Sequence, residues 1–108
     1  MQIQINSDNI INLGSEGSDA MARAVQQGLS RFAERLTPVE VHFSDINGKE
    51  NKVGDDKRCL IEARPANRGP IAVTNEAGNL DQALSGGLKK LTTALAREFG
   101  RITSRKGH

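Results

Sequence analysis

The chain has 108 residues, 36% hydrophobic and 26% charged, a balance that suits one small globular domain with a single core. A net charge of +2 is too small to announce a nucleic-acid partner by itself, and three Phe with no Trp or Tyr argue against a platform on which bases stack. The single cysteine, Cys59, excludes an intrachain disulfide, and no run of about 18 apolar residues is present to form a membrane-spanning helix.

Gln2 to Asn6 alternates, with Ile3 and Ile5 on one side, which predicts a short strand with one buried face. The same segment lacks the charged start and apolar run of a secretion signal, so a cytoplasmic location is expected. Residues 7–18 are polar and read as a loop pinned to the core by Ile10, Ile11 and Leu13. A first helix is expected from about Ser18 to Leu36, because Met21, Val25, Leu29, Phe32 and Leu36 make one apolar stripe. Pro38 is expected to stop it. Arg23, Gln27, Arg31 and Glu34 fall on the opposite side.

The period then changes from helical to alternating. Val39, Val41 and Phe43 alternate with Glu40, His42 and Ser44, the pattern of a strand with one wet face. Asn47 to Lys57, with Gly48 and Gly54, reads as a hairpin loop. Arg58 to Arg64 is the next strand, with Cys59, Ile61 and Ala63 on one face and Leu60, Glu62 and Arg64 on the other. Pro65 ends it, Asn67-Arg68-Gly69 makes a turn, and Ile71 to Thr74 forms the last strand.

The second helix is expected to begin at Asn79, which can cap it, with Gln82 at the capping-box position. Leu80, Leu84, Leu88, Leu91, Leu95, Phe99 and Ile102 recur at spacings of three and four, the strongest periodic signal in the chain. Gly100 is expected to end the helix, leaving residues 103–108 as a short basic tail behind a domain of residues 1–102. Gly86-Gly87 interrupts the helix at a cost of ~1 kcal/mol per glycine relative to Ala, for which close packing is the expected reason.

The order is β-α-β-β-β-α, an α+β fold. It predicts a four-stranded mixed sheet whose first two strands are parallel and whose later strands form hairpins, with both helices on one face.

Groups able to do chemistry are sparse. His42 and Cys59 stand on neighbouring strands, but strand parity sends His42 to solvent and Cys59 to the core, so a structural cysteine is expected. Asp55-Asp56 lies beside Lys57 and Arg58 in a self-neutralising loop. No Cys or His spacing suits a metal, and no glycine-rich stretch leads a strand into a phosphate-binding helix. No catalytic residue, metal ligand or cofactor is therefore assigned, and no small-molecule substrate is expected.

The basic residues are more informative. Lys90, Arg97 and Arg101 fall within about 40° of one another around the last helix, away from the leucine stripe, with Lys89 nearby. Arg23 and Arg31 occupy the exposed side of the first helix. Helices lying side by side would bring these stripes toward one surface suited to RNA phosphates. A solvated helix face of ordinary Lys and Arg is the plainer account of the same spacing.

The segments V-E-V-H-F-S-D (39–45), D-D-K-R-C-L-I-E-A-R-P (55–65), P-I-A-V-T (70–74) and N-L-D-Q-A-L-S-G-G-L-K-K-L (79–91), in this order, resemble the ribosome hibernation promoting factor family. The family is also called the ribosome-associated inhibitor or factor Y family, and the resemblance, to its short single-domain form, covers essentially the whole chain. It implies a non-catalytic protein that binds RNA of the small ribosomal subunit in the channel used by messenger and transfer RNA. Such binding blocks translation and preserves idle ribosomes under stress. Carried over by position, the contact residues are Arg31, Lys89, Lys90, Arg97 and Arg101, while surface reasoning adds Arg23, Lys57 and Arg58. The chain departs from the family pattern at Gly28, Asp81, Thr92 and Thr93. Self-association is compatible with the sequence but not indicated by it.

Two other classes of function remain open to this sequence. One is a protein-interaction module acting through the open sheet face or an edge strand, with Glu40, Glu62 or Arg64 as contacts. The other is a small hydrolase or redox protein built on Cys59.

Overall fold

The computed structural model describes residues 1–8, 13–45 and 57–106, with side chains described as far as residue 100. Strand β1 (Gln2–Ser7) is followed by helix α1 (Gly14–Gly28) and a 3-10 segment (Ser30–Arg35). Strands β2 (Leu36–Asp45), β3 (Lys57–Pro65) and β4 (Ile71–Ala77) come next, and helix α2 (Leu80–Lys106) closes the chain. The strands form one sheet in the order β1-β2-β3-β4. β1 runs parallel to β2, because a helix between two strands carries the chain back to its starting end. The β2–β3 and β3–β4 pairs are antiparallel. This is the α+β order and mixed sheet that the sequence predicts.

Alternation along the strands decides which face is dry. Val39, Val41 and Phe43 lie opposite Ala63, Ile61 and Cys59 in the β2–β3 register, and all six are buried. Ile3 and Ile5 align with Val39 and Val41 and pack against the same core. Met21 and Val25 of α1, with Leu29 and Phe32 just after it, cover the sheet from one side of the helical layer, and Ala83, Leu84, Leu91, Leu95 and Phe99 of α2 cover it from the other. α1 lies against β1, α2 lies over β3 and β4, and the two helices touch. The opposite face carries Glu40, His42 and Glu62, half-buried, and Arg64, exposed.

The first helical segment differs from expectation. It starts at Gly14, whose φ of 68° glycine adopts without strain. It then tightens after Gly28, where Leu29 leaves the α-helical region. The 3-10 geometry brings residues three apart into line, so Leu29 and Phe32 both stay buried. Leu36, expected at the end of the helical stripe, is instead the first residue of β2. Pro38 therefore ends no helix. It lies inside β2 beside an irregularity between Leu36 and Val39, a place where a missing N–H is tolerated.

Two other boundaries move outward. β4 runs to Ala77 rather than Thr74, because its polar end residues find partners: Asn75 bonds α2 and Glu76 pairs with Arg58. α2 passes through Gly100, and the backbone of residues 103–106, expected as a tail, continues the helix. A glycine ends a helix by adopting a left-handed conformation, and Gly100 does not. Of the three residues expected to pin the early loop, Leu13 packs against the core, while Ile10 and Ile11 lie outside the described residues. The hairpin loop residues 46–56, with Asp55-Asp56, also lie outside them.

Candidate nucleic-acid interface

The exposed face of α2 is set by how tightly its first turns are fixed. The backbone N–H of Gln82 donates to Asn79 Oδ1 at 2.8 Å, the cap expected from the sequence. Asn75 Nδ2 donates to the Ala83 carbonyl at 3.1 Å and the Gln82 carbonyl at 3.4 Å, tying the same turn to β4. Both glycines of the Gly86-Gly87 pair lie in close packing against strand side chains. A Cβ at Gly86 would overlap the Asn75 amide, and one at Gly87 would stand 3.0 Å from Ile61 Cδ1.

With α2 held in this rotation, Lys90 extends along the β4 side and its ammonium donates to the Thr74 carbonyl at 2.9 Å. A carbonyl leaves the positive charge uncompensated. Arg97 lies two turns further on and is exposed. Arg101 continues the helix by one turn, and its side chain lies outside the described residues. Lys89 faces the other flank, where it lines a groove of about 470 Å³ between the helices with Ala20, Met21, Ala24, Leu84 and Leu88. Arg23 is exposed on α1, and Arg31 is exposed with its guanidinium carbon 4.8 Å from the Phe32 ring centroid. Among the described residues, none of Arg23, Arg31, Lys89, Lys90 and Arg97 is paired with a carboxylate.

Lys57 and Arg58 stand differently. Lys57 Nζ is 3.3 Å from the Asp45 carboxylate. Arg58 is next to the buried Cys59 and so points from the face opposite the helices, where it bonds Glu76 through two nitrogens at 3.0 and 3.2 Å. Arg58 is thus remote from the α2 stripe, and both charges are partly neutralised where they stand.

A further basic group escaped the sequence reading. Phe32 and Phe99 stack at 5.7 Å between centroids. Arg35 and Arg68 lie over the Phe99 ring at 4.8 and 5.1 Å, and Arg68 also bonds Glu98 at 2.7 Å. The Ala66 N–H donates to the Arg35 carbonyl at 2.8 Å, which joins the 3-10 segment to the β3–β4 turn. Together with Arg31, three guanidinium groups surround one aromatic pair. Arg31 and Arg35 flank Phe32 in sequence, a signal that was there to be read. Arg68 gave none, because its position depends on the turn at Asn67, where φ is 64°.

The thiol–imidazole pairing considered from sequence is closed off by geometry. Cys59 lies opposite Phe43 and is fully buried, whereas His42 lies opposite Leu60 on the other face. Burial pushes the Cys59 thiol from 9.0 up to about 12, so the nucleophilic thiolate is strongly disfavoured at neutral pH.

No family model matches the chain, and the search of curated proteins finds no match. Solved structures do match. The crystal structure of the Thermus thermophilus Protein Y N-terminal domain superposes with a TM-score of 0.68 at 19% identity, covering 90% of this chain and 98% of that one. A ribosomal subunit interface protein from Coxiella burnetii superposes with a TM-score of 0.70 at 14% identity, covering 93% and 99%. At these identities the likeness establishes the fold: from β1 into α2, the chain is built as these two proteins are.

Proposed function

We propose that the chain is a member of the hibernation promoting factor family that associates with the ribosome without catalysing a reaction. In this reading it binds RNA of the small subunit near the messenger and transfer RNA channel, and so inhibits translation or stabilises idle ribosomes under stress. Its place of action is the cytoplasm. The ribosome-binding domain is residues 1–102, followed by the short basic stretch 103–108. The observation that carries the proposal is the pair of uncompensated cations, Lys90 and Arg97, along one side of α2. They stand on a fold shared over nearly its whole length with two proteins, one of them named for the ribosomal subunit interface.

The physical step is exchange of counterions for protein cations along the RNA backbone. Each phosphate neutralised by Lys or Arg releases condensed ions, which drives association and makes it sensitive to salt. Lys89, Lys90, Arg97 and Arg101 on α2 supply cations for this, with Arg23 and Arg31 from the first helical segment. Lys57 and Arg58 contribute only by trading a carboxylate partner for a phosphate.

The test is cosedimentation of the purified protein with small subunits at rising salt. Association should weaken steeply as salt increases and be lost when Lys90, Arg97 and Arg101 are all changed to Glu, with the thermal unfolding transition preserved. Retained association in that folded variant would overturn the assignment to α2. Association that ignores salt and RNase, and fails instead when Glu40, Glu62 or Arg64 is changed, would assign binding to the open sheet face.

A further inference from the structure

We propose that Glu40, His42 and Glu62 form a binding site for a divalent transition-metal ion of the zinc class, on the sheet face opposite the helices. Glu40 and His42 are two residues apart on β2 and so share a face. Antiparallel pairing sets Glu62 of β3 directly across from Glu40. One ligand atom from each of the three side chains lies within 4.8 Å of the others. Ligands held ~2.1 Å from one zinc ion stand roughly 3–4 Å apart, so modest side-chain rotation closes the set.

A second observation points the same way. Two carboxylates directly opposite each other on neighbouring strands repel and destabilise the pair. Among the described residues no cation relieves this one: the side chains of Glu40, His42 and Glu62 have no ion-pair or hydrogen-bond partner. Arg64 lies on the same face without pairing to either Glu, and Arg58 is engaged by Glu76. All three side chains are half-buried, and they stand on the two inner strands of the sheet, where the backbone is held from both sides. A bound dication would turn the repulsion into coordination.

The donor set selects the class of ion. One imidazole nitrogen with two carboxylate oxygens suits zinc and its neighbours, whereas calcium takes six or more oxygens and magnesium a near-octahedral oxygen shell. Three protein ligands leave at least one position for water or an outside ligand. The site lies on the face away from α2, so it stands or falls independently of the ribosome reading.

The experiment is titration calorimetry of the full chain with zinc chloride at neutral pH, on the wild type and on Glu40→Gln, His42→Ala and Glu62→Gln. The wild type should bind one equivalent saturably. Each substitution should weaken binding at least about tenfold, the lower end of what even outer-shell partners of a metal contribute. His108→Ala and the double change Asp55→Asn with Asp56→Asn should leave it unaltered. Paramagnetic broadening by cobalt(II), which takes the same nitrogen and oxygen donors as zinc, of the backbone amides of residues 40, 42 and 62 locates the ion without any substitution. No saturable binding by the wild type overturns the proposal. So does binding that survives His42→Ala and Glu62→Gln, binding lost with His108→Ala or the Asp55/Asp56 double variant, or broadening centred elsewhere.

Discussion

Cys59 and Arg58 are neighbours in sequence with opposite fates, and the pleat of β3 separates them. Arg58 reaches a partner across the strand pair, whereas Cys59 is enclosed by the core, which has no charge to offer a thiolate. Burial therefore raises the thiol from 9.0 to about 12. The consequence for stability has a definite sign. Below 9.0 the thiol is protonated in both folded and unfolded chains and contributes no pH dependence. Above 9.0 the unfolded chain releases the proton and the folded chain keeps it, so stability falls until the folded thiol also titrates near 12. The slope in this window approaches about 1.4 kcal/mol per pH unit. Urea unfolding followed from 8 to about 11 should show the decline, and Cys59→Ala, though less stable throughout, should show a flatter one. An equal slope in both proteins would place the pH dependence in another group. Alternation alone revealed this residue's orientation. It could not reveal Arg68, whose guanidinium reaches Phe99 only because the chain turns at Asn67.

At the scale of elements, the glycines of α2 separate packing from propensity. Gly87 stands against the terminal methyl of Ile61, which is itself fully buried, while a Cβ at Gly100 would meet nothing. Gly→Ala gains about 1 kcal/mol of helix propensity at both positions. At Gly87 overpacking costs about 1–3 kcal/mol, so Gly87→Ala should lower stability by about 1 kcal/mol. Gly100→Ala should raise it by about 0.5–1 kcal/mol. Urea unfolding of the two variants checks both signs, and a stabilising Gly87→Ala would contradict the close seat of α2 on β3. The leucine spacing made this helix legible in the sequence, and Asn79 marked its start. Its end was not legible, because a glycine in a helical pattern carries no mark of whether its conformation will be right- or left-handed. The first helix was less legible for a related reason. A stripe of buried residues at three and four spacing is satisfied equally by an α-helix and by the 3-10 turn that follows Gly28. Leu36 fitted the helical stripe and the strand alternation alike.

For the whole molecule, the net charge of +2 hides how unevenly the charge is placed. The acidic pair Glu40 and Glu62 lies on the open sheet face, while Lys90 and Arg97 line the β4 side of α2. Arg35, Arg68 and, through Phe32, Arg31 gather around Phe99. Three arginines thus concentrate on one aromatic pair, although only Arg31 of that group was expected as a contact from sequence. If this cluster meets RNA phosphates, Arg35 belongs to the interface as well. The prediction is that Arg35→Gln reduces the slope of log affinity against log salt by about 0.7–0.9, the change for one lost phosphate contact. Loss of its stacking on Phe99 should cost only about 0.5–1 kcal/mol of stability, so the folded fraction is unaffected at working temperature. Small-subunit binding at four or five salt concentrations measures the slope, and a thermal melt measures the cost. An unchanged slope with the expected small stability loss would leave Arg35 as a structural cation that caps the Phe32–Phe99 stack and would confine the proposed RNA contact to α2, Arg23 and Arg31. A changed slope would extend the contact to this cluster, using a residue that the chain's sequence placed near Phe32 and the fold placed over Phe99.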